Sequence, residues 1–380
     1  MAEAPLAGLK VVELARVLAG PFAGQILADL GADVIKVESP AGDDTRKWGP
    51  PYVTRADGRE ESAYYHSCNR GKRGVVADFS DADDLAFVKR LCADADVVIE
   101  NFKLGNLKRF GLDYASLAQD NPRLVYCSIT GFGQTGPYAP RPGYDFVVQG
   151  MSGIMALTGE PDGMPMKVGI SISDMACGMW SVIAIQSALL MRQRTGQGQH
   201  IDMALLDCSV ALLANQGMSY LASGANPPRM GNAHAQVAPY QVYALADGHF
   251  ILATGNDEQF RKLARIIGRD DLADDPRLQT NAGRLANRDW MNAAIAQEAA
   301  RFTKAEMLRL CEEQGVPVGP INTIDEVFAD PQVKARGMLV EGGEAIPSIR
   351  SPFTFSGAEL AIGRASPMQG EHEGEIRGAR

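Results

Sequence analysis

Apolar and polar positions alternate in blocks from the start of the chain. Leu9–Leu14 is a short apolar run closed by Arg16-Val17-Leu18-Ala19-Gly20-Pro21, Phe22–Leu30 continues at helical spacing to Gly31, and Asp33–Glu38 is a second apolar run. The pattern predicts strand, helix, strand, with Pro21 in the first turn of the helix and Gly31 at its stop. Such a βαβ unit implies a parallel sheet that meets ligands at the C-terminal ends of its strands. The alternation resumes with strands over Gly74–Phe79, Asp96–Glu100 and Leu124–Ile129, a helix over Ala82–Ala93, and helical pieces at Asn106–Phe110 and Tyr114–Gln119. The fold class is therefore α/β, with a doubly wound sheet.

Farther on, the stretch Met166–Trp180 (MKVGISISDMACGMW) sets one carboxylate, Asp174, among small and apolar residues. Met179, Ile183, Gln186, Leu189 and Leu190 then recur at three and four residues up to Thr195-Gly196, so a buried helix is expected to begin right after Asp174. A strand at His200–Met203 and a long apolar helix over Leu205–Tyr220 follow, and residues 223–238, rich in Gly, Pro and Asn, read as a linker. Beyond it a hairpin is expected around Ala246-Asp247-Gly248, then helices at Asp257–Ile267, Asn287–Ala299 and Lys304–Gln314. The last opens on the capping box Thr303 and Glu306. A strand-rich tail, Met338–Ala361, looks set to return to the first domain. The expected domains are 1–222, a small α+β domain over 223–330 with its linkers, and 331–380.

Asp174 admits two readings. It can cap the helix, its oxygen accepting a backbone N–H of the first turn, or stand ionised, with a lowered pKa, in a dry cleft as nucleophile or base. Elsewhere, residues 39–74 lack periodicity and end in the basic cluster Arg70, Lys72 and Arg73, the best local candidate for phosphate contacts. Gly131–Gly136 matches G-x-G-x-x-G after a strand. Pro137, Pro140 and Pro142 forbid the helix that a dinucleotide fingerprint needs, and no acidic residue lies about 20 positions on, so the segment reads as a loop open to close backbone approach.

Composition narrows the classes. The 380 residues are 46% hydrophobic and 22% charged, which predicts a globular chain of about two structural units. A net charge of −9 argues against general nucleic-acid binding. Six cysteines without a C-x-x-C pair argue against a zinc site or disulfide framework and suit a reducing compartment. With Glu3, Lys10, Glu13 and Arg16 interrupting the first apolar residues, and no apolar run of about 18, neither a signal peptide nor a membrane span is expected. A cytoplasmic location is the expectation.

The order of motifs resembles family III of the CoA-transferases, the group that includes formyl-CoA:oxalate and carnitine CoA-transferases. The resemblance is carried by Arg16-Val17-Leu18-Ala19-Gly20-Pro21, Leu30–Glu38, Asn69 with Lys72-Arg73, Glu100-Asn101-Phe102, Gly131-Phe132-Gly133, Asp174, Thr195-Gly196-x-Gly198-Gln199, Val316-Pro317-x-Gly319-Pro320 and Gly370-Glu371-His372. It implies a Rossmann-like large domain built from both chain ends, a small domain between, and an interlocked homodimer. It implies no metal and no tightly bound cofactor, with coenzyme A entering as acyl-CoA substrate. Asp174 takes the catalytic position. Arg16, Leu18, Ala19, Lys72, Arg73, Asn101, Phe102 and Arg109 are the implied CoA contacts, and Tyr144-Asp145 matches an aromatic-acidic pair beside the catalytic aspartate.

Leu18 stands where the formyl-CoA enzymes carry Gln, and Thr254–Gln259 replaces their glycine-rich loop, which argues against oxalate. Gly231-Asn232-Ala233-His234, Pro239-Tyr240 and Thr254-Gly255-Asn256 look more like members that move CoA from succinyl-CoA to a dicarboxylate such as glutarate. Arg46 or Lys47 is a candidate partner for the distal carboxylate. Two rivals are weighed. A 2-methylacyl-CoA racemase of the same fold would carry Gly-His-Asp where this chain has Gly143-Tyr144-Asp145, and a tyrosine, ordinarily titrating near pH 10, is a poor α-proton base. A CoA-binding protein without turnover would keep Asp174 only as a cap.

Overall fold

The computed structural model describes residues 3–55, 57–341 and 346–378. The chain divides into two compact units. The larger comprises residues up to Met155, Lys167–Ala225 and the stretch from Pro331 onward; the smaller comprises Ala156–Met166 and Asn226–Asp330.

In the larger unit six strands form one parallel sheet: β1 (Lys10–Glu13), β2 (Asp33–Glu38), β3 (Arg73–Val76), β4 (Val97–Glu100), β5 (Val125–Thr130) and β6 (Gln199–Ala204). Their order is β3-β2-β1-β4-β5-β6. This is the 3-2-1-4-5-6 arrangement whose winding reverses between the first and fourth strands, leaving a crevice at their C-terminal ends. The β-branched run Val97-Val98-Ile99 is wholly buried, as expected of a strand covered on both faces.

The helices of this unit include α1 (Ala19–Asp29), α2 (Ala82–Ala93), α3 (Asp145–Met151), α4 (Ile172–Thr195), α5 (Leu205–Ala211) and α6 (Ala214–Ser223), of which α1, α2 and α4 pack on the sheet. One apolar layer joins α1, α4 and the sheet through Ala23, Leu27, Cys177, Val182 and Ile185; the other sets Phe87, Val88 and Cys92 of α2 against the opposite face. α4 is long and apolar enough to cross a membrane, yet one side of it, including Ala176, Cys177, Ser181 and Ile185, is buried within this unit. Gly178 lets α4 and α1 meet closely, since a Cβ there would sit 2.9 Å from the Ala19 carbonyl oxygen.

Three expectations need correction. α4 begins at Ile172, so Asp174 lies inside the first turn rather than before it. The apolar stretch Leu205–Tyr220 is two helices, broken where Ala214 takes φ +39°. The tail is not strand-rich: among its described residues only Leu339–Val340 and Ser348–Ile349 pair as strands, while 342–345 lie outside the described residues. Pro347 and Pro352 limit the backbone donors that strand pairing needs. Ser351 and Ala361 instead donate to Asp29, on the Oδ2 and backbone oxygens respectively.

The smaller unit holds an antiparallel sheet in which Gly248–Ala253 pairs with Tyr240–Leu245 on one side and Val318–Pro320 on the other. Phe250, Phe260, Leu263, Met291 and Met307 form its buried core, and the Thr303–Glu306 capping box opens the helix Lys304–Glu313. Ala156–Met166 belongs here because Arg229 donates to the carbonyl oxygens of Glu160 and Gly163, and the N–H of Gly231 to that of Gly159.

Candidate active site

A cleft of about 400 Å³ occupies the crevice between β1 and β4. Arg16–Ala19 reach it from the end of β1, Asn101 and Phe102 from β4, Gly131 from β5, and Asp174 and Tyr144 from α4 and the turn before α3. Gly131 and Gly143 pack backbone to backbone, a Cβ on either falling 2.5 Å from the other's Cα, which brings the Gly-rich loop and Tyr144 to the same rim. No helix follows Gly131–Gly136 until Asp145, consistent with a loop there.

The cap at the start of α4 is not Asp174. Asp145 accepts the Ser173 N–H at 2.8 Å through Oδ1 and the Gln149 amide at 2.7 Å through Oδ2. With the cap supplied from α3, the half-buried carboxyl of Asp174 is left without a hydrogen bond among the described residues and faces the cleft. Burial, and secondarily the charge of Asp145, raises its pKa to about 7. The expectation of a lowered pKa is corrected on that ground: desolvation without a cationic partner disfavours the charged form. Across the cleft, α1 opens at Leu18 without a side-chain cap, and the N–H groups of Leu18, Ala19 and Gly20 have no hydrogen-bond partner among the described residues.

Beside this cleft lies a second of about 500 Å³, where Phe79, Phe102 and Phe110 gather with Arg109 and Asn106. Phe79 sits 6.2 Å from Phe102 and 5.6 Å from Phe110 between ring centroids, and the Arg109 guanidinium lies 4.5 Å over Phe110. Three rings and a guanidinium suit a flat heteroaromatic group. Glu38, at the end of β2 where a dinucleotide-binding chain holds a ribose, is instead taken by Arg46 at 2.7 Å and the Asp43 N–H at 2.8 Å.

The family model for CoA-transferase family III matches residues 6–373. The chain belongs to that family. A succinate–glutarate CoA-transferase from Agrobacterium fabrum is 56% identical to this CoA-transferase, over 98% of this chain and 94% of the relative. An acetyl-CoA:oxalate CoA-transferase from Acetobacter aceti is 44% identical over 93% and 90%, and the human succinyl-CoA:glutarate CoA-transferase 38% over 98% and 85%. A crystal structure of a CAIB/BAIF family protein from Brucella suis, 57% identical, matches with a TM-score of 0.91 over 100% of this chain and 99% of that one.

Other expected residues of this CoA-transferase stand elsewhere. Lys72 is wholly buried, its ammonium 2.7 Å from Glu13 and donating to Pro21 O and Asn69 Oδ1, both at 2.8 Å. Arg73 is engaged by Asp33 and by Glu375, the latter at 2.7 Å. Neither lines the clefts, so the phosphate contacts assigned to them are corrected: a basic cluster in sequence becomes three separately paired cations, Arg70 being held by Asp29 at 2.6 Å. Arg46 likewise is committed to Glu38 and Glu61, which removes it as a partner for a distal carboxylate, and Lys47 lines neither cleft. Sequence reasoning missed Lys103 and Arg141, exposed cations on the cleft wall. It also missed Tyr64, whose hydroxyl lies near Ser171 and whose pKa rises to about 12 through burial and the nearby Asp174. Among the described residues no cluster of three His, Cys, Asp or Glu is placed to hold a metal.

Proposed function

We propose that this CoA-transferase moves CoA from succinyl-CoA to a dicarboxylate such as glutarate, with Asp174 as the covalent nucleophile. The observation that carries the reading is the lone carboxyl of Asp174, free of any cap duty, in a cleft that also receives the unpartnered N–H groups at the start of α1. The Agrobacterium relative's name supplies the substrate pair.

The steps balance as carbonyl exchanges. The Asp174 carboxylate oxygen attacks the thioester carbon of succinyl-CoA, and CoA thiolate leaves from a mixed anhydride. The thiolate then attacks the aspartyl carbonyl, forming an aspartyl-CoA thioester and releasing succinate. The acceptor carboxylate attacks that thioester and expels the thiolate again, giving a second anhydride. Thiolate attack on its acceptor carbonyl yields the new acyl-CoA and restores Asp174. Each addition places negative charge on a carbonyl oxygen, which the free N–H groups of Leu18 and Ala19 are suited to receive. The adenine is assigned to the slot of Phe79, Phe102 and Arg109, and the diphosphate to Arg16, Lys103 and Arg141 at the mouth. Among the described residues no histidine lines the cleft, which disfavours a racemase.

A homodimer, interlocked as the family resemblance implies, belongs to the same proposal. Met179, Ile183 and Leu190 along α4, and Phe146 on α3, are 46–63% exposed, apolar surface that a second copy would cover. Six buried free thiols are in keeping with a cytoplasmic setting. The test is CoA exchange followed by mass spectrometry, with succinyl-CoA and a pool of mono- and dicarboxylic acids. Glutaryl-CoA formed with matching succinate release is the expected result; release of succinate without any new acyl-CoA would reject transfer.

A further inference from the structure

Val17 takes φ +73°, left-handed backbone that a β-branched residue adopts only when its surroundings impose it. Buried side chains around the turn supply that constraint. Lys36, wholly buried, donates to the Ala15 carbonyl at 2.9 Å and lies 3.0 Å from the equally buried Asp43. Asp43 in turn accepts the Val17 N–H through both carboxylate oxygens at 3.3 Å. Asn101 closes the third side, accepting the Arg16 N–H at 3.0 Å and donating to its carbonyl at 2.6 Å. One ion pair thus grips the backbone on either side of Arg16. A buried ion pair is often no more stabilising than apolar side chains of the same volume, but apolar side chains cannot hold Ala15 O and Val17 N–H. The pair is kept charged by its neighbours: Glu13, Glu38, Lys72 and Arg46 surround it, and the carboxylates hold Lys36 protonated despite its burial.

The residues after this turn are those whose N–H groups open α1 without a partner in the cleft of Asp174. Building on the transfer reaction proposed above, we infer that Lys36 and Asp43 are positioning residues for catalysis. They lock Val17 in its left-handed conformation and thereby aim the N–H groups of Leu18 and Ala19 into the cleft.

The test is a double-mutant cycle in the full chain, read by kcat for CoA exchange, acyl-CoA Kd and near-UV circular dichroism. Lys36→Met with Asp43→Asn removes both charges at nearly constant volume and leaves Glu13 paired with Lys72. The expected outcome is a folded protein whose Kd stays within about threefold and whose kcat falls roughly 100-fold, the scale of a lost oxyanion donor. Glycine adopts the left-handed conformation without help, so in a Val17→Gly background the same pair of changes should cost at least about fivefold less. Equal losses in both backgrounds, or an undiminished kcat, would overturn the inference. Asp43→Asn alone repeats the comparison should the double change unfold the chain. Thr45→Val, which removes the hydroxyl's hydrogen bond to Asp43 at 2.8 Å and keeps that of the Thr45 backbone N–H, is expected to leave kcat within about twofold; a loss matching that of Asp43→Asn would assign Asp43 to the turn of Asp44–Lys47 instead. Wild-type protein that exchanges no CoA would defeat the transfer reading, and this inference with it, before any variant is compared.

Discussion

Replacing Asp174 by Asn should abolish transfer and stabilise the fold, and the second effect carries a pH signature. A carboxyl whose pKa rises from 3.8 to about 7 on folding lowers stability by at most about 4 kcal/mol once ionised, at 1.36 kcal/mol for each tenfold change. Solvent reaching its exposed edge reduces this to about 1–2 kcal/mol. Below about pH 4 folded and unfolded chains are both protonated and nothing is lost. As pH rises to about 7 the unfolded chain ionises while the folded chain still holds its proton, so wild-type stability falls; above that the difference is constant. Asparagine never titrates, so the advantage of the variant opens over the same window. Urea unfolding of both proteins at about pH 5, 6, 7 and 8 measures it. In parallel, kcat/KM for succinyl-CoA should climb about tenfold per pH unit and level off near 7. A variant advantage that is the same at every pH, or a rate already flat at pH 5, would refute an Asp174 held half-protonated by burial.

Tyr64→Phe keeps the ring at its 5.2 Å contact with Trp48 and removes the hydroxyl beside Ser171 and Asp174; kcat/KM for the acceptor acid should fall about tenfold, whereas an unchanged value would make the hydroxyl a bystander. Arg109→Ala should raise KM for acyl-CoA about tenfold with kcat held, and a fall in kcat alone would place Arg109 outside the adenine slot. Gly24→Ala drives a methyl into the Glu13 carboxylate and against Lys72; thermal unfolding should report a loss of about 2–4 kcal/mol, and a loss under about 0.5 would mean that the buried charges shift freely.

The large parallel sheet was legible because period and punctuation agree there: Asp33–Glu38 and Ala82–Ala93 end where the sequence says they do. Asp174 was legible as a residue but not as an environment. Its environment depends on Asp145, 29 residues earlier, taking over the helix-capping role that sequence reasoning offers to Asp174. The basic cluster misled for a related reason. Local charge shows that cations exist, while their partners Asp29, Glu13 and Asp33 come from α1, β1 and the start of β2. Tyr64 sits in a 36-residue stretch without periodicity, where no spacing signals a side chain's destination.

The raised pKa of Asp174 bears on why a carboxylate serves here at all. In the proposed cycle an oxygen nucleophile and a thiolate trade places at a carbonyl in every step. An ordinary aspartate titrates near 3.9 and a thiol near 8.5, so each displacement of thiolate by such a carboxylate would run steeply uphill. At about 7 Asp174 stands much closer to the thiol, and the two directions of exchange approach balance, as a reversible transfer requires. The cost is that only about half of the carboxyl is ionised near neutral pH, a small factor against the barrier removed. The same environment would be self-defeating if the carboxylate had to cap its helix, because a bound N–H favours the charged form and pulls the pKa back down. Asp145 takes that duty, and its own charge, set beside Asp174, pushes the nucleophile further in the useful direction.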